Sequence, residues 1–194
     1  MSSHHIVREN QEPALLIEDL FLIDEEGLGQ LLEWSPTIVI EAETIDLLDA
    51  RGYKFDIVFT KNSINDSQEN LKIISYDNDF LKTAIEYLIA HQYKAVNILT
   101  DQLDVAYYRP YLEQINIVLI TKGVRYCFVT TGFTKWKPAG ERIRIEGLDA
   151  DEKNTHEGLI KINDNDNEYE MEKDGLFVLK FSHIKYILIG EKIA

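Results

Sequence analysis

The residues best placed to do chemistry are acids that follow short apolar runs. Glu41, Glu43, Asp77, Asp79, Asp101 and Asp104 each come shortly after a stretch that reads as a buried strand. Open α/β sheets take their ligands outside the carboxyl ends of such strands. Carboxylates there hold divalent cations, and a cation against phosphate oxygens is what phosphoryl transfer requires. Asp77 and Asp79, just before the clearest helical pattern in the chain, are the candidate metal ligands. Their competing role is to cap that helix and complement its positive end.

Other chemistry-bearing patterns fall short of their motifs. Gly27-Leu28-Gly29 opens like a dinucleotide loop, but Leu32 stands where the third glycine belongs, and the run is helical. Asp164-Asn165-Asp166-Asn167-Glu168 opens like a calcium loop, whose sixth and twelfth positions must be Gly and Glu. Those positions hold Tyr169 and Gly175, so the segment reads as a solvated acidic hairpin. His91, His156 and His183 lack metal-ligand spacing, and Cys127 sits in a strand-like run as a structural thiol. No residue is assigned a catalytic or cofactor-binding role on these grounds.

The elements that must position the acids alternate. Apolar runs Ala14–Ile17, Thr37–Ile40, Asp56–Phe59, Lys72–Ser75, Ala95–Leu99 and Ile117–Thr121 predict strands, with helices over Glu25–Trp34, Glu43–Arg51, Asn78–His91 and Leu103–Gln114. Leu81, Ala84, Ile85 and Leu88 recur at helical spacing, and Gly52 closes the second helix. This rhythm predicts an α/β fold with a mostly parallel sheet and covering helices over residues 1–122. From residue 123 onward the strand-like runs Cys127–Thr130, Arg142–Glu146, Gly158–Ile162, Leu176–Phe181 and Lys185–Ile189 have no helix between them. They predict a smaller all-β, sandwich-like domain over 123–194.

A 194-residue chain with 45% hydrophobic and 28% charged residues can bury about 70% of its surface without disulfides or metals. Its formal charge of −14 argues against nucleic-acid binding, which concentrates Lys and Arg. No apolar run approaches the ~20 residues of a membrane span. One cysteine and a start without the apolar core of a secretion signal fit a cytoplasmic protein. The charge is uneven: residues 1–121 carry 21 acids against 8 bases, 122–145 carry 1 against 6, and 146–174 carry 11 against 3. The acidic 146–174 stretch reads as a solvated face, with a basic partner protein as the alternative.

Several stretches, taken in order, resemble thiamin pyrophosphokinase. They are Ser2–Arg8 with Gln11–Ala14, Leu28–Pro36, the helix Leu81–Leu88, Phe133–Gly140, then Gly158-Leu159 and Asp174-Gly175. The resemblance implies an α/β domain followed by a β-sandwich, a homodimer with thiamin held between subunits, and pyrophosphoryl transfer from Mg-ATP. The family's functional motifs are nonetheless replaced. Its Asp-Gly after the second strand is Glu41-Ala42-Glu43 here, and its Gly-Asp-x-Asp after the third is Thr60-Lys61-Asn62-Ser63. The aspartate before the strong helix falls at Phe80, with Asp79 one residue early. The Gly-Arg and Asp-His signature becomes Leu103–Tyr108, and the late Ser-Asn is missing at Asn167-Glu168-Tyr169.

The expectation is therefore a non-catalytic relative that binds, regulates or scaffolds, with no cofactor and with a small-molecule ligand at the subunit interface of a homodimer. The alternative is an active enzyme using Mg²⁺ and ATP through a rebuilt metal site.

Overall fold

The computed structural model describes residues 12–33, 37–62, 71–148, 155–163 and 167–193. The N-terminal part of the resemblance, the 34–36 corner, Ser63 and the acidic tip 164–166 lie outside the described residues. The chain divides into two compact units, Met1–Asp101 with Glu113–Ile117, and Gln102–Leu112 with Val118–Ala194.

In the first unit, β1 (Ala14–Ile17), β2 (Ile38–Glu41), β3 (Ile57–Thr60), β4 (Lys72–Ser75) and β5 (Ala95–Leu99) lie in the order β5-β1-β2-β3-β4, every pair parallel. Every residue of β1 is fully buried, as a central strand covered on both faces must be. β4, at the edge, exposes Lys72, Ile73 and Ser75. The helices are α1 (Glu25–Glu33), α2 (Ile45–Ala50) and α3 (Phe80–Ala90), and α3 buries Leu81, Ala84, Ile85 and Leu88 as its periodicity predicts. α2 and α3 end in the same motif. The Gly52 and Tyr53 N–H groups donate to Asp49 and Leu48 carbonyls, and the Gln92 and Tyr93 N–H groups donate to Ile89 and Leu88 carbonyls. Gly52 takes the required left-handed φ of 73° freely, whereas Gln92 holds 64° against the steric preference of a side chain.

In the second unit the predicted Leu103–Gln114 helix shrinks to α4 (Val105–Tyr108), followed by turns. Pro110 is the reason: Arg109 is still helical, but Pro110 has no N–H to donate back along the helix and its ring crowds the preceding turn. β6 (Asn116–Thr121) and β7 (Val124–Val129) meet at the two-residue turn Lys122-Gly123, with φ of 47° and 74°. Positive φ at both positions matches the twist of a tight hairpin. β7 pairs with β14 (Ile187–Lys192), then come β9 (Arg142–Glu146), β12 (Glu168–Met171) and β11 (Leu159–Lys161), all antiparallel. A second sheet orders β10 (Thr155–Glu157), β13 (Gly175–Lys180) and β8 (Phe133–Lys137). The two sheets share one core: Ile143, Ile145, Ile187 and Ile189 from the first meet Phe177 and Leu179 from the second.

Three strands escape the sequence pattern, β8, β10 and β12. β8 runs from Phe133 through Lys137, and after it Ala139-Gly140 turn. β12 begins at Glu168, the last residue of the expected solvated acidic hairpin. Its acids instead face arginines directly across the sheet, Glu168 opposite Arg144 and Glu170 opposite Arg142. The ion-pair distances are 3.8 Å and 3.6 Å. The basic segment and the acidic one that follows it are thus partly neighbours in one sheet, where opposite charges in register stabilise pairing.

Candidate functional site

The order β5-β1-β2-β3-β4 reverses direction at β1, since the chain steps outward from β1 to β4 and then crosses by α3 to β5. Such a switch opens a crevice beyond the carboxyl ends of β1 and β5. Glu18 follows β1, and Thr100 and Asp101 follow β5. The fully buried Thr100 donates its hydroxyl hydrogen to the Glu18 carboxylate. The Glu18 residue keeps exposed surface, but this end of it is drawn against the strand ends. Partial burial of the carboxylate raises its pKa; the Thr100 hydrogen bond opposes the rise, and the charges of Asp101, Asp19 and Asp79 add to it.

One expected result follows. Folding then disfavours the ionised form of Glu18, so its contribution to stability falls as pH rises from the ordinary carboxyl range, about 4.3, through the raised value. Glu18→Gln keeps an acceptor for Thr100 and removes the charge. The variant should melt slightly higher than the parent at pH 7, with the gap closing near pH 4; the gap stays small because the site is partly solvated and screened. Melting curves of both proteins across that range check it, and a gap that widens toward acid contradicts this electrostatic account.

Further along the sheet, Glu41 ends β2, Thr60 ends β3, and Tyr76 follows β4. The nearly buried Tyr76 donates its hydroxyl hydrogen to the Glu41 carboxylate. Lys61 places its ammonium over the Tyr76 ring, 5.1 Å from the centroid. Burial raises the Glu41 pKa, the charge of Glu43 raises it further, and Lys61 lowers it. After β3 the loop curls back on Thr60, whose hydroxyl donates to the Asn62 carbonyl at 2.7 Å and accepts from the Asn62 N–H at 3.1 Å. Tyr76 is held by aromatic packing, edge-on to Phe59 with ring centroids 6.4 Å apart and tilted against Phe80 at 6.0 Å.

The two candidate metal ligands have different surroundings. Asp79 caps α3, its Oδ1 accepting from the Lys82 N–H at 2.9 Å, while Asp77 is exposed between β4 and α3. Glu43 and Asp101 are exposed, and in the second unit Asp104 caps α4 by accepting from the Ala106 N–H at 2.8 Å. Among the described residues no three His, Cys, Asp or Glu side chains group closely enough to hold a metal ion. At the ends of β2 and β3, Lys61 stands close to the Glu41 carboxylate, a donor set that does not fit a divalent cation. Cys127 is half-buried, and burial pushes its thiol pKa up; His91 stacks on Tyr87 with centroids 3.9 Å apart at the end of α3.

Sequence reasoning missed Glu18, Tyr76 and Thr100. Glu18 carried the same signal as the acids that were found, being the first residue beyond a buried apolar run. Tyr76 and Thr100 have no such mark, because their roles come from partners 35 and 82 residues away.

The architecture of a parallel α/β unit and an antiparallel two-sheet unit is that of the thiamin pyrophosphokinases. The Bacillus subtilis thiamine pyrophosphokinase superposes with a TM-score of 0.61 at 16% identity, covering 93% of this chain and 98% of that one. The Candida albicans thiamin pyrophosphokinase gives 0.62 at 13% identity, covering 95% and 90%. A Lactobacillus plantarum protein gives 0.63 at 16% identity, covering 95% and 99%. No family model matches the sequence, and no curated protein matches it significantly. The chain has the thiamin pyrophosphokinase fold. Among the described residues no helix is long and apolar enough to cross a membrane.

Proposed function

We propose that this chain is a thiamin pyrophosphokinase-related protein that does not transfer pyrophosphate and acts by binding, as a regulator or scaffold. The observation that carries this reading is Lys61. It stands after β3, where the resemblance puts the main metal-binding aspartates, and its ammonium rests on Tyr76, which is bonded to Glu41. A fixed positive charge among the strand ends repels the Mg²⁺ that must accompany ATP. The acidic surroundings then disfavour the nucleotide itself, since carboxylates attract phosphates only through an intervening cation. The reading extends to a cytoplasmic homodimer with a small-molecule ligand at the subunit interface, in which neither nucleic acid nor a membrane takes part.

The competing reading is an active thiamin pyrophosphokinase with a rebuilt metal site. One feature favours it: Glu18 feels the charges of Asp101, Asp19 and Asp79, so the carboxyl ends of β1 and β5 lie in an acidic field. Incubation with Mg-ATP and thiamin separates the two. The non-catalytic reading expects no AMP above a protein-free control; AMP and thiamin diphosphate released in equal amounts over many turnovers would establish the enzyme. In that event Asp79→Ala and Asp77→Ala should abolish the Mg²⁺ dependence.

A further inference from the structure

The second unit carries a cavity of about 310 Å³ on the face of its larger sheet turned away from the shared core. Residues two apart on a strand share a face, and cross-strand register fixes what lies beside them. Gly190 of β14 stands between Tyr126 of β7 and Arg144 of β9, and Glu168 of β12 stands beyond Arg144. Lys192 and Arg142 lie two residues further along their strands on the same face, and Lys122 comes from the β6–β7 turn. Tyr108 of α4 packs on Phe128, 5.6 Å between centroids, so the helix covers the Phe128 end of this face. The cavity occupies the other end.

Its walls hold Lys122, Lys192, Arg142 and Arg144 against a single carboxylate, Glu168, on a chain of net charge −14. The arginines are partly engaged. Arg144 pairs with Glu168 and hydrogen-bonds the Tyr126 hydroxyl, and Arg142 pairs with Glu170. The ion pairs are long, which leaves guanidinium N–H donors for a guest. Neither Lys122 nor Lys192 has an acidic partner among the described residues. The tight hairpin turn, with positive φ at Lys122 and Gly123, holds the Lys122 backbone at the rim of the cavity.

We propose that this cavity binds a small phosphate-bearing molecule, a monoester or a diphosphate, between the two lysines and the two arginines. Adjacent guanidinium forks match phosphate oxygens, and the ammonium groups supply point charges beside them. Four cations against Glu168 in the lining and Glu170 on Arg142 leave a surplus of two positive charges, which suits a guest of two negative charges better than a single carboxylate. A cavity near 300 Å³ is at the small end of ligand pockets. No divalent cation enters this recognition, so it is independent of whether the strand ends of the first unit bind Mg-ATP.

The test is calorimetric titration of the full chain with inorganic pyrophosphate at low salt in the presence of EDTA. Saturable one-to-one binding is expected, weakened at least about tenfold in Lys122→Gln/Lys192→Gln, since each lost charge-assisted contact matters. Because these lysines are surface residues, the variant should keep the parent's melting temperature. A Lys54→Gln/Lys94→Gln control, removing two exposed lysines of the first unit, should bind as the parent does. No binding at millimolar pyrophosphate, unchanged affinity in the first variant, or equal affinity for succinate would each overturn the assignment.

Discussion

Phe59→Ala is expected to lower the unfolding free energy by about 3–5 kcal/mol, the range for deleting a buried aromatic side chain. Phe59 is fully buried in β3, and its ring meets Tyr76, Phe80 and Tyr87 edge-on at 6.4, 5.7 and 5.9 Å. Truncation removes the transfer energy, leaves a cavity, and deletes three quadrupolar contacts, each worth roughly 0.5–1.5 kcal/mol beyond area. At 2–4 °C per kcal/mol for a chain of this size, the midpoint should fall by roughly 10 °C. Phe59→Leu keeps most of the volume and should recover over half of the loss. Chemical denaturation of the three proteins checks both figures. A loss below about 1.5 kcal/mol in the alanine variant would mean that the cluster collapses around the gap and that its rings are not holding one another in place. Because Tyr76 carries the hydrogen bond to Glu41 and the contact with Lys61, the same cavity should loosen the strand-end cluster.

The parallel unit was legible because its inner strands β1, β2 and β3 are buried on both faces, β4 keeps a β-branched run at the edge, and the periodicity of α3 is unambiguous. The runs Ala14–Ile17, Lys72–Ser75 and Ala95–Leu99 match strands residue for residue, and α3 differs from its predicted span only at the ends. The antiparallel unit was less legible because charge concealed alternation. In Glu168-Tyr169-Glu170-Met171 the period of two is present, with Tyr169 and Met171 buried. The glutamates make the run look solvated until Arg144 and Arg142 are known to lie opposite. Lys135 and Lys137 hide β8 in the same way, and both bind Glu191 of β14 at 2.6 Å and 3.5 Å. The acids that follow strands were found by position alone. What they touch depends on register between strands far apart in sequence, which single-chain patterns do not encode.

Gly190→Ala should destabilise the second unit by about 2–3 kcal/mol, although local preferences argue the other way. Gly190 lies in a regular strand and is absent from the positive-φ residues, so alanine fits the backbone and reduces the entropy lost on folding by roughly 0.5–1 kcal/mol. The opposing effect is steric. A Cβ at Gly190 would stand 2.4 Å from Tyr126 Cε1 and 2.8 Å from Cδ1 and Cζ. The ring cannot swing into solvent cheaply, because Tyr126 is buried and its hydroxyl is bonded to Arg144. Overpacking of this kind costs typically 1–3 kcal/mol, and breaking the bond to Arg144 adds to it. The clash therefore outweighs the propensity gain. A double-mutant cycle isolates the cause: on a Tyr126→Leu background the ring is gone, and Gly190→Ala should become neutral or mildly stabilising. If Gly190→Ala costs as much on that background as alone, the glycine is required by the backbone and not by the tyrosine lying across it. Since Arg144 lines the proposed phosphate cavity, Gly190→Ala should also weaken pyrophosphate binding without touching any cation, through displacement of the guanidinium that Tyr126 holds in place.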